Sequence, residues 1–296
     1  MNLRSRLESR QIAGVEVEER VSCYRKKVEP WFFLPPLVAG ILLLALKVSG
    51  EEVRVFLWLN REAEIAGEMF WLGLMTLGDG LVVCVLLLPF FRRKPAFVVA
   101  MVLSWVLVTI CVQAIKYLVN APRPLEALPG ANFHLIGANY RSKSFPSGHA
   151  ATASMFAAGA YLFFRRRFAW VLVGMVAILI SVSRIAMGIH WPTDVLVGSV
   201  IGWLLVGLGS TLTKRFELDP QPIVQWVVGI WLVALAIVLL VHNFTDYTQV
   251  FRLQQIISAA CLVVGFGEIF VRPRTGPGHG KRSLLEDNTS SEKGVL

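Results

Sequence analysis

Long apolar stretches separated by short polar segments make up most of the chain between residues 31 and 270. A helix needs about 20 apolar residues to cross a bilayer. Eight stretches reach or approach that length: 31–49, 70–91, 96–118, 148–164, 168–188, 192–213, 223–242 and 251–270. The fourth lies at the short end of the usual range. This pattern predicts an all-α, polytopic helical membrane protein.

Three further segments flank or interrupt these stretches. Residues 50–69, GEEVRVFLWLNREAEIAGEM, mix acidic with apolar residues, which is typical of an amphipathic helix at a membrane interface. Residues 1–30 form a polar arm of mixed charge. Residues 271–296 are rich in Gly, Ser and charge, and we expect them to be disordered.

The composition agrees with a membrane protein, since 17% of the residues are charged and 55% are hydrophobic. Soluble domains carry about a quarter of charged residues. The net charge of +9 would suggest nucleic acid in a soluble protein. Here the basic residues lie in short clusters between apolar stretches, so no nucleic-acid partner is expected. If the eight spans alternate, most Lys and Arg residues fall on one side with both termini, which predicts that this side is cytoplasmic.

Five basic residues break this charge rule because they fall on the outer side: Lys116, Arg123, Arg141, Lys143 and Arg184. An anionic substrate would explain them. Arginine presents a planar fork that fits phosphate oxygens, and lysine adds a point charge. Lys116, Arg123 and Arg184 are therefore candidate phosphate-binding residues.

The sequence SFPSGHA opens the fourth span and adds a second kind of anion site. Ser147 and Gly148 stand at the start of a predicted helix, where free backbone N–H groups point towards an approaching anion. Glycine lets the backbone come close. Ser147 can cap the helix and still contact phosphate.

Two histidines lie among these cations, and phosphoryl transfer needs a nucleophile and a proton donor. Asp194 follows His190 by four residues, so its carboxylate can hold one ring nitrogen and leave the other to attack. His190 with Asp194 is therefore the candidate nucleophile pair, and His149 the candidate general acid.

The residues K-x6-RP, PSGH and SR-x5-H-x3-D, in that order, resemble the motifs of the type 2 phosphatidic acid phosphatase superfamily. They are Lys116 to Pro124, Pro146 to His149 and Ser183 to Asp194. The resemblance implies a six-helix membrane core over residues 31–213, a phosphohistidine intermediate, and no metal or other cofactor. The two spans within residues 214–270 lie outside that core, and their role is open: they could pack beside it, widen a lipid groove or mediate association.

Each residue alone has a plainer interpretation. Lys116, Arg123 and Arg184 resemble headgroup anchors or snorkelling side chains, and the histidines resemble polar residues satisfied at an interface. The occurrence of all three motifs in one chain favours a catalytic role for these residues over these plainer interpretations. The predicted partners are a membrane lipid phosphate and the bilayer, and the sequence does not indicate an oligomeric state.

The predicted function is hydrolysis of a terminal phosphate from a lipid, at the periplasmic face of a bacterial inner membrane. Undecaprenyl diphosphate, phosphatidylglycerol phosphate, phosphatidic acid and a lipid A phosphate stay open as substrates. A lipid-to-lipid phosphotransferase using the same phosphohistidine is an alternative. A transporter is disfavoured because the charges cluster at one face, and a soluble haloperoxidase is disfavoured by the apolar spans.

Overall fold

The computed structural model describes residues 29–137, 143–164, 166–243 and 247–270. The predicted cytoplasmic arm and disordered tail fall outside these residues, apart from Glu29 and Pro30. The described residues form helices and no strand. The main helices are α1 (Leu34–Ser49), α2 (Glu52–Ala63), α3 (Glu68–Gly78), α4 (Gly80–Val85), α5 (Pro95–Val119), α6 (Gly148–Phe163), α7 (Arg167–Ala186), α8 (Pro192–Arg215), α9 (Pro222–Val241) and α10 (Thr248–Phe270).

Six segments of the described chain are long and apolar enough to cross a membrane. They are Pro30–Ser49, Pro95–Ala127, Arg167–Ala186, Pro192–Arg215, Pro222–Val241 and Val250–Gly267. The all-α, multi-pass membrane fold predicted from the sequence is thereby confirmed, although two of the eight expected spans take another form.

The first difference is the span expected at 70–91, which is broken. Two helical segments, Glu68–Gly78 and Gly80–Phe90, meet here at an angle of 57°. Together they could form no more than one membrane span. Asp79 adopts an extended conformation between them, and its carboxylate accepts the backbone N–H of Leu81 at 2.9 Å. This carboxylate starts α4 as an N-cap, so the helix axis changes direction where the apolar pattern continues without interruption.

The second difference is α6, which begins and ends where the span at 148–164 is expected. With 16 residues it is not among the six segments that are long enough to cross a membrane. At a rise of 1.5 Å per residue this helix is about 24 Å long. Most of its residues are buried among neighbouring helices. Gly198 and Gly202 of α8 lie against the backbone of Ser147 and Ala151, where an added Cβ would overlap with main-chain atoms. The two helices therefore pack closely at the start of α6.

The last two helices pack against each other and beside the broken pair α3–α4 and the turn that follows it. The side chain of Gln254 joins them by donating to the carbonyls of Leu239, at 2.7 Å, and His242, at 2.9 Å. The Tyr247 hydroxyl donates to the Ile136 carbonyl at 3.1 Å. Of the roles left open for this pair, packing beside the core is the one observed.

Helix α2 lies within the amphipathic segment expected over 50–69 and is followed by a short 3₁₀ helix at Glu64–Ala66. Its buried residues are Phe56, Asn60 and Ala63. One face therefore packs on protein, while Val53 and Trp58 on other faces are 41% and 59% exposed. An interfacial location for these exposed apolar residues stays a prediction.

Candidate active site

Four helices have an end at the same place in the bundle: α5 and α7 end there, and α6 and α8 begin there. The backbone N–H of Ser147 donates to the carbonyl of Asp194 at 2.9 Å, which joins the starts of α6 and α8. The backbone N–H of Ser144 donates to the carbonyl of Ala121 at 3.0 Å, which joins the segments that flank the loop between α5 and α6. We call this end of the bundle the site end.

The pair His190 and Asp194 forms as the sequence spacing predicts. His190 Nδ1 lies 3.2 Å from Asp194 Oδ2, one helical turn later in the chain. The same oxygen accepts the backbone N–H of Trp191 at 2.9 Å. The two side chains are 4% and 2% exposed. A carboxylate at Nδ1 favours the tautomer with its proton there, so Nε2 carries the lone pair.

Sequence reasoning missed one residue of this network, Ser144. Its hydroxyl donates to Asp194 Oδ2 at 2.5 Å and lies 3.4 Å from His190 Nδ1. Ser144 is fully buried. A hydrogen-bonded carboxylate is held in one orientation, so Ser144 fixes the group that orients the histidine. In the sequence, the sign of a role for Ser144 is its position two residues before Pro146, the first residue of the PSGH motif.

The three predicted phosphate-binding cations also reach the site end. Lys116 Nζ donates to the Lys143 carbonyl at 2.7 Å. Arg123 Nη1 donates to the Ile189 carbonyl at 3.0 Å, next to His190. Arg184, on the last turn of α7, is 5% exposed. Lys116 and Arg123 are thus anchored at segments that precede His149 and His190, and Arg184 lies six residues before His190.

The charges of these cations act on His190. Burial, together with the positive charges of Arg123, Lys116 and Arg184, holds the pKa of His190 well below its usual range. The imidazole is therefore neutral near pH 7, which is the form that can attack an electrophile.

His149 stands at the start of α6 beside Gly78, at the break between α3 and α4. It borders a cavity of about 210 Å³ between α4, α5 and α6. The cavity is lined by Gly80, Leu81, Trp105, Val108, Thr109, Val112, Gln113, Gly148, His149 and Thr152. Ser147 caps α6, since its hydroxyl accepts the backbone N–H of Ala150 at 3.4 Å. A mainly apolar cavity thus adjoins the predicted proton donor.

The structure therefore brings together all eight predicted site residues: Lys116, Arg123, Ser147, Gly148, His149, Arg184, His190 and Asp194. Arg141, one of the expected outer cations, lies outside the described residues. Within the described part of the chain, no group of three or more His, Cys, Asp or Glu side chains could hold a metal ion.

All three motifs lie within a region that matches the model of a known family. Residues 96–217 match the model of the PAP2 superfamily. The crystal structure of Aquifex aeolicus LpxE superposes with a TM-score of 0.50 and 28% identity, over 54% of this chain and 94% of that one.

Named relatives share this region. An undecaprenyl-diphosphatase of Sulfolobus acidocaldarius is 31% identical over 131 residues, which are 44% of this chain and 60% of that protein. Phosphatidylglycerophosphatase B of Escherichia coli strain K12 is 38% identical over 76 residues, which are 24% of this chain and 30% of that protein. The chain thus aligns with less than two thirds of the length of either relative.

Proposed function

Because this chain carries a PAP2 superfamily domain, we propose that it is a membrane phosphatase that removes a terminal phosphate from a lipid. One observation carries the proposal: the buried His190 is held by Asp194 at 3.2 Å, and the positive charges of Lys116, Arg123 and Arg184 together with burial lower its pKa. This arrangement provides a nucleophile and the positive charge that a phosphoryl group requires.

In the first step, His190 Nε2 attacks phosphorus and the bond between phosphorus and the lipid oxygen breaks. The leaving oxygen takes a proton from His149, and the phosphoryl group becomes bonded to His190. Lys116, Arg123 and Arg184 neutralise its oxygens, and backbone N–H groups at the start of α6 add hydrogen bonds. The negative charge of the bound phosphate favours the protonated form of His149.

In the second step, a water molecule attacks phosphorus and the bond to His190 Nε2 breaks. His149, now neutral, takes the proton from that water. Inorganic phosphate leaves and His190 is neutral again. Asp194 stabilises the positive charge that His190 carries while it is bonded to phosphorus, and Ser144 holds Asp194 in place.

The cavity beside His149 supports a lipid as the substrate. Its wall carries Leu81, Trp105, Val108 and Val112, which offer apolar surface to a chain that stays in the membrane while the phosphate reaches the cations. The names of the two relatives, undecaprenyl-diphosphatase and phosphatidylglycerophosphatase B, support undecaprenyl diphosphate and phosphatidylglycerol phosphate among the candidate substrates.

We expect purified protein to release inorganic phosphate from at least one lipid in a panel of these phosphates and phosphatidic acid. Vanadate, which mimics five-coordinate phosphorus, should inhibit the reaction, and excess EDTA should leave it unchanged. Inorganic phosphate and labelled lipid are measured in the same reaction. Label transferred to a second lipid in place of water would support the phosphotransferase, and flux through proteoliposomes without hydrolysis would support a transporter.

We also propose that the site end faces the periplasm, because most basic residues lie on the opposite side if the spans alternate. The exposed Ala131 lies in the loop after α5, and the exposed Glu217 follows α8 at the other end of the bundle. In a variant without native cysteines, Ala131→Cys should react with a membrane-impermeant maleimide in intact cells, and Glu217→Cys only after lysis. The reverse pattern would overturn the orientation.

A further inference from the structure

Helix α2 lies across the site end and packs against α7 and α8. Three of its side chains, Glu52, Phe56 and Asn60, follow one another at intervals of four residues and therefore share a face. Phe56 and Asn60 are 0% and 1% exposed. Helix α2 therefore presents a continuous face to the protein, with a polar residue at each end of it and an aromatic ring between them.

Asn60 holds the end of α7. Its side-chain amide donates to the carbonyl of Ala186 at 2.8 Å, where α7 ends and carbonyls lack partners within the helix. The same amide donates to the carbonyl of His134 at 2.8 Å, and its oxygen accepts the backbone N–H of His134 at 2.7 Å. Asn60 thus fastens the last turn of α7, which carries Arg184, to the loop that precedes α6.

Phe56 holds the segment that follows His190. Its ring lies 5.1 Å from the ring of Trp191 and 5.3 Å from that of Phe133, measured between centroids. The backbone N–H of Trp191 donates to Asp194. Movement of the Trp191 ring would therefore disturb the contact that orients the catalytic carboxylate.

Glu52 holds the start of α8. Its carboxylate accepts the backbone N–H of Thr193 at 3.3 Å and also the Thr193 hydroxyl. The first N–H groups of a helix have no partner within it, and a carboxylate there is favourable. Thr193 directly precedes Asp194, so this contact fixes the backbone from which Asp194 projects.

We propose that α2 is a brace that positions the catalytic segment, residues 184–194, through Glu52, Phe56 and Asn60; this inference rests on the phosphatase function proposed above. The contacts of the three side chains reach Ala186, Trp191 and Thr193, which flank Arg184, His190 and Asp194. Glu52, Phe56 and Asn60 are positioning residues, because they act through the groups that contact the phosphate. A displacement of about 1 Å in a reacting group can cost about a hundredfold in rate.

The test uses Asn60→Leu, which has a similar size and no hydrogen-bonding groups, and Asn60→Asp, which keeps the acceptor for His134. Arg61→Ala, on the exposed face of α2, is the matched control. We expect Asn60→Leu to lower kcat by about tenfold to a hundredfold while KM changes by less than about threefold. Asn60→Asp and Glu52→Gln should show smaller losses of kcat, and Arg61→Ala should match the parent.

A second measurement does not depend on catalysis. Amide hydrogen exchange at residues 185–193 should be faster in Asn60→Leu than in Arg61→Ala. Parent-like kcat in Asn60→Leu, or a lower kcat without faster exchange at residues 185–193, would overturn the brace. If Asn60→Leu does not insert, Asn60→Asp and Glu52→Gln decide by the same two measurements. Failure of the parent to hydrolyse any lipid would instead contradict the phosphatase, and the exchange data would still test whether α2 holds the segment.

Discussion

Replacing His190 with glutamine should abolish phosphate release from lipid, with a fall in kcat of at least about a thousandfold. Glutamine can still donate a hydrogen bond to Asp194, which lies 3.2 Å from the imidazole. Its amide nitrogen has no lone pair available to attack phosphorus. A thousandfold loss corresponds to about 4 kcal/mol of activation free energy. Lys116, Arg123 and Arg184 are unchanged, so KM should change much less than kcat.

The proposed phosphohistidine intermediate allows a sharper measurement. Parent protein mixed with a ³²P-labelled substrate and quenched within milliseconds should carry label that is stable in alkali and labile in acid, as expected of a phosphohistidine. His190→Gln should carry none. His242→Gln, an exposed histidine at the end of α9, is the matched control and should label like the parent. A correctly inserted His190→Gln protein with turnover within about tenfold of the parent would rule out His190 as the nucleophile.

The sequence predicts much of the site because its residues stand next to apolar stretches of known length. Lys116 ends one such stretch, Arg184 another, and His149 and Asp194 begin two more. Alternating helices bring these ends to one face whatever the details of their packing. The structure places the residues together, and the His190–Asp194 contact follows from their spacing of one helical turn.

Other parts of the structure have no signal in hydropathy. The break at Asp79 lies within an apolar stretch, and its cause is a carboxylate that bonds backbone N–H groups of the next turn. Ser144 looks like any loop serine until the fold brings it to Asp194. The short α6 differs from these two, because the apolar stretch 148–164 already predicts its length; packing explains why it is tolerated, since a helix surrounded by other helices need not match the bilayer's thickness.

The sequence predicts an amphipathic helix within residues 50–69 and does not identify the partner of its inner face. Periodicity shows which residues share a face and does not show what that face contacts. Asn60 gave a usable hint, because an amide on the same face as a buried phenylalanine requires hydrogen-bonding partners. Those partners are backbone carbonyls of Ala186 and His134, which no sequence pattern identifies.

Replacing His149 with glutamine should produce a defect that depends on the leaving group. With a lipid phosphate the leaving alkoxide needs a proton, so we expect kcat to fall by about 10²- to 10⁴-fold. With 4-nitrophenyl phosphate the leaving nitrophenolate is stable without a proton, so formation of the phosphohistidine should fall by about tenfold or less. Nitrophenol release in the first turnover, measured by stopped flow, reports this step.

The same variant should then stop at the proposed phosphohistidine, because in the proposed mechanism His149 is also the base that activates water in the second step. His149→Gln should therefore release one equivalent of nitrophenol per active site in a burst and retain the phosphoryl group on His190. His190→Gln should show no burst with either substrate, since a better leaving group does not replace a missing nucleophile. If His149→Gln slowed formation of the phosphohistidine equally on both substrates and showed no burst, the assignment of His149 as the acid and base would be contradicted. His149 stands at the start of α6 and borders the apolar cavity, which is why we assign the proton donor to it.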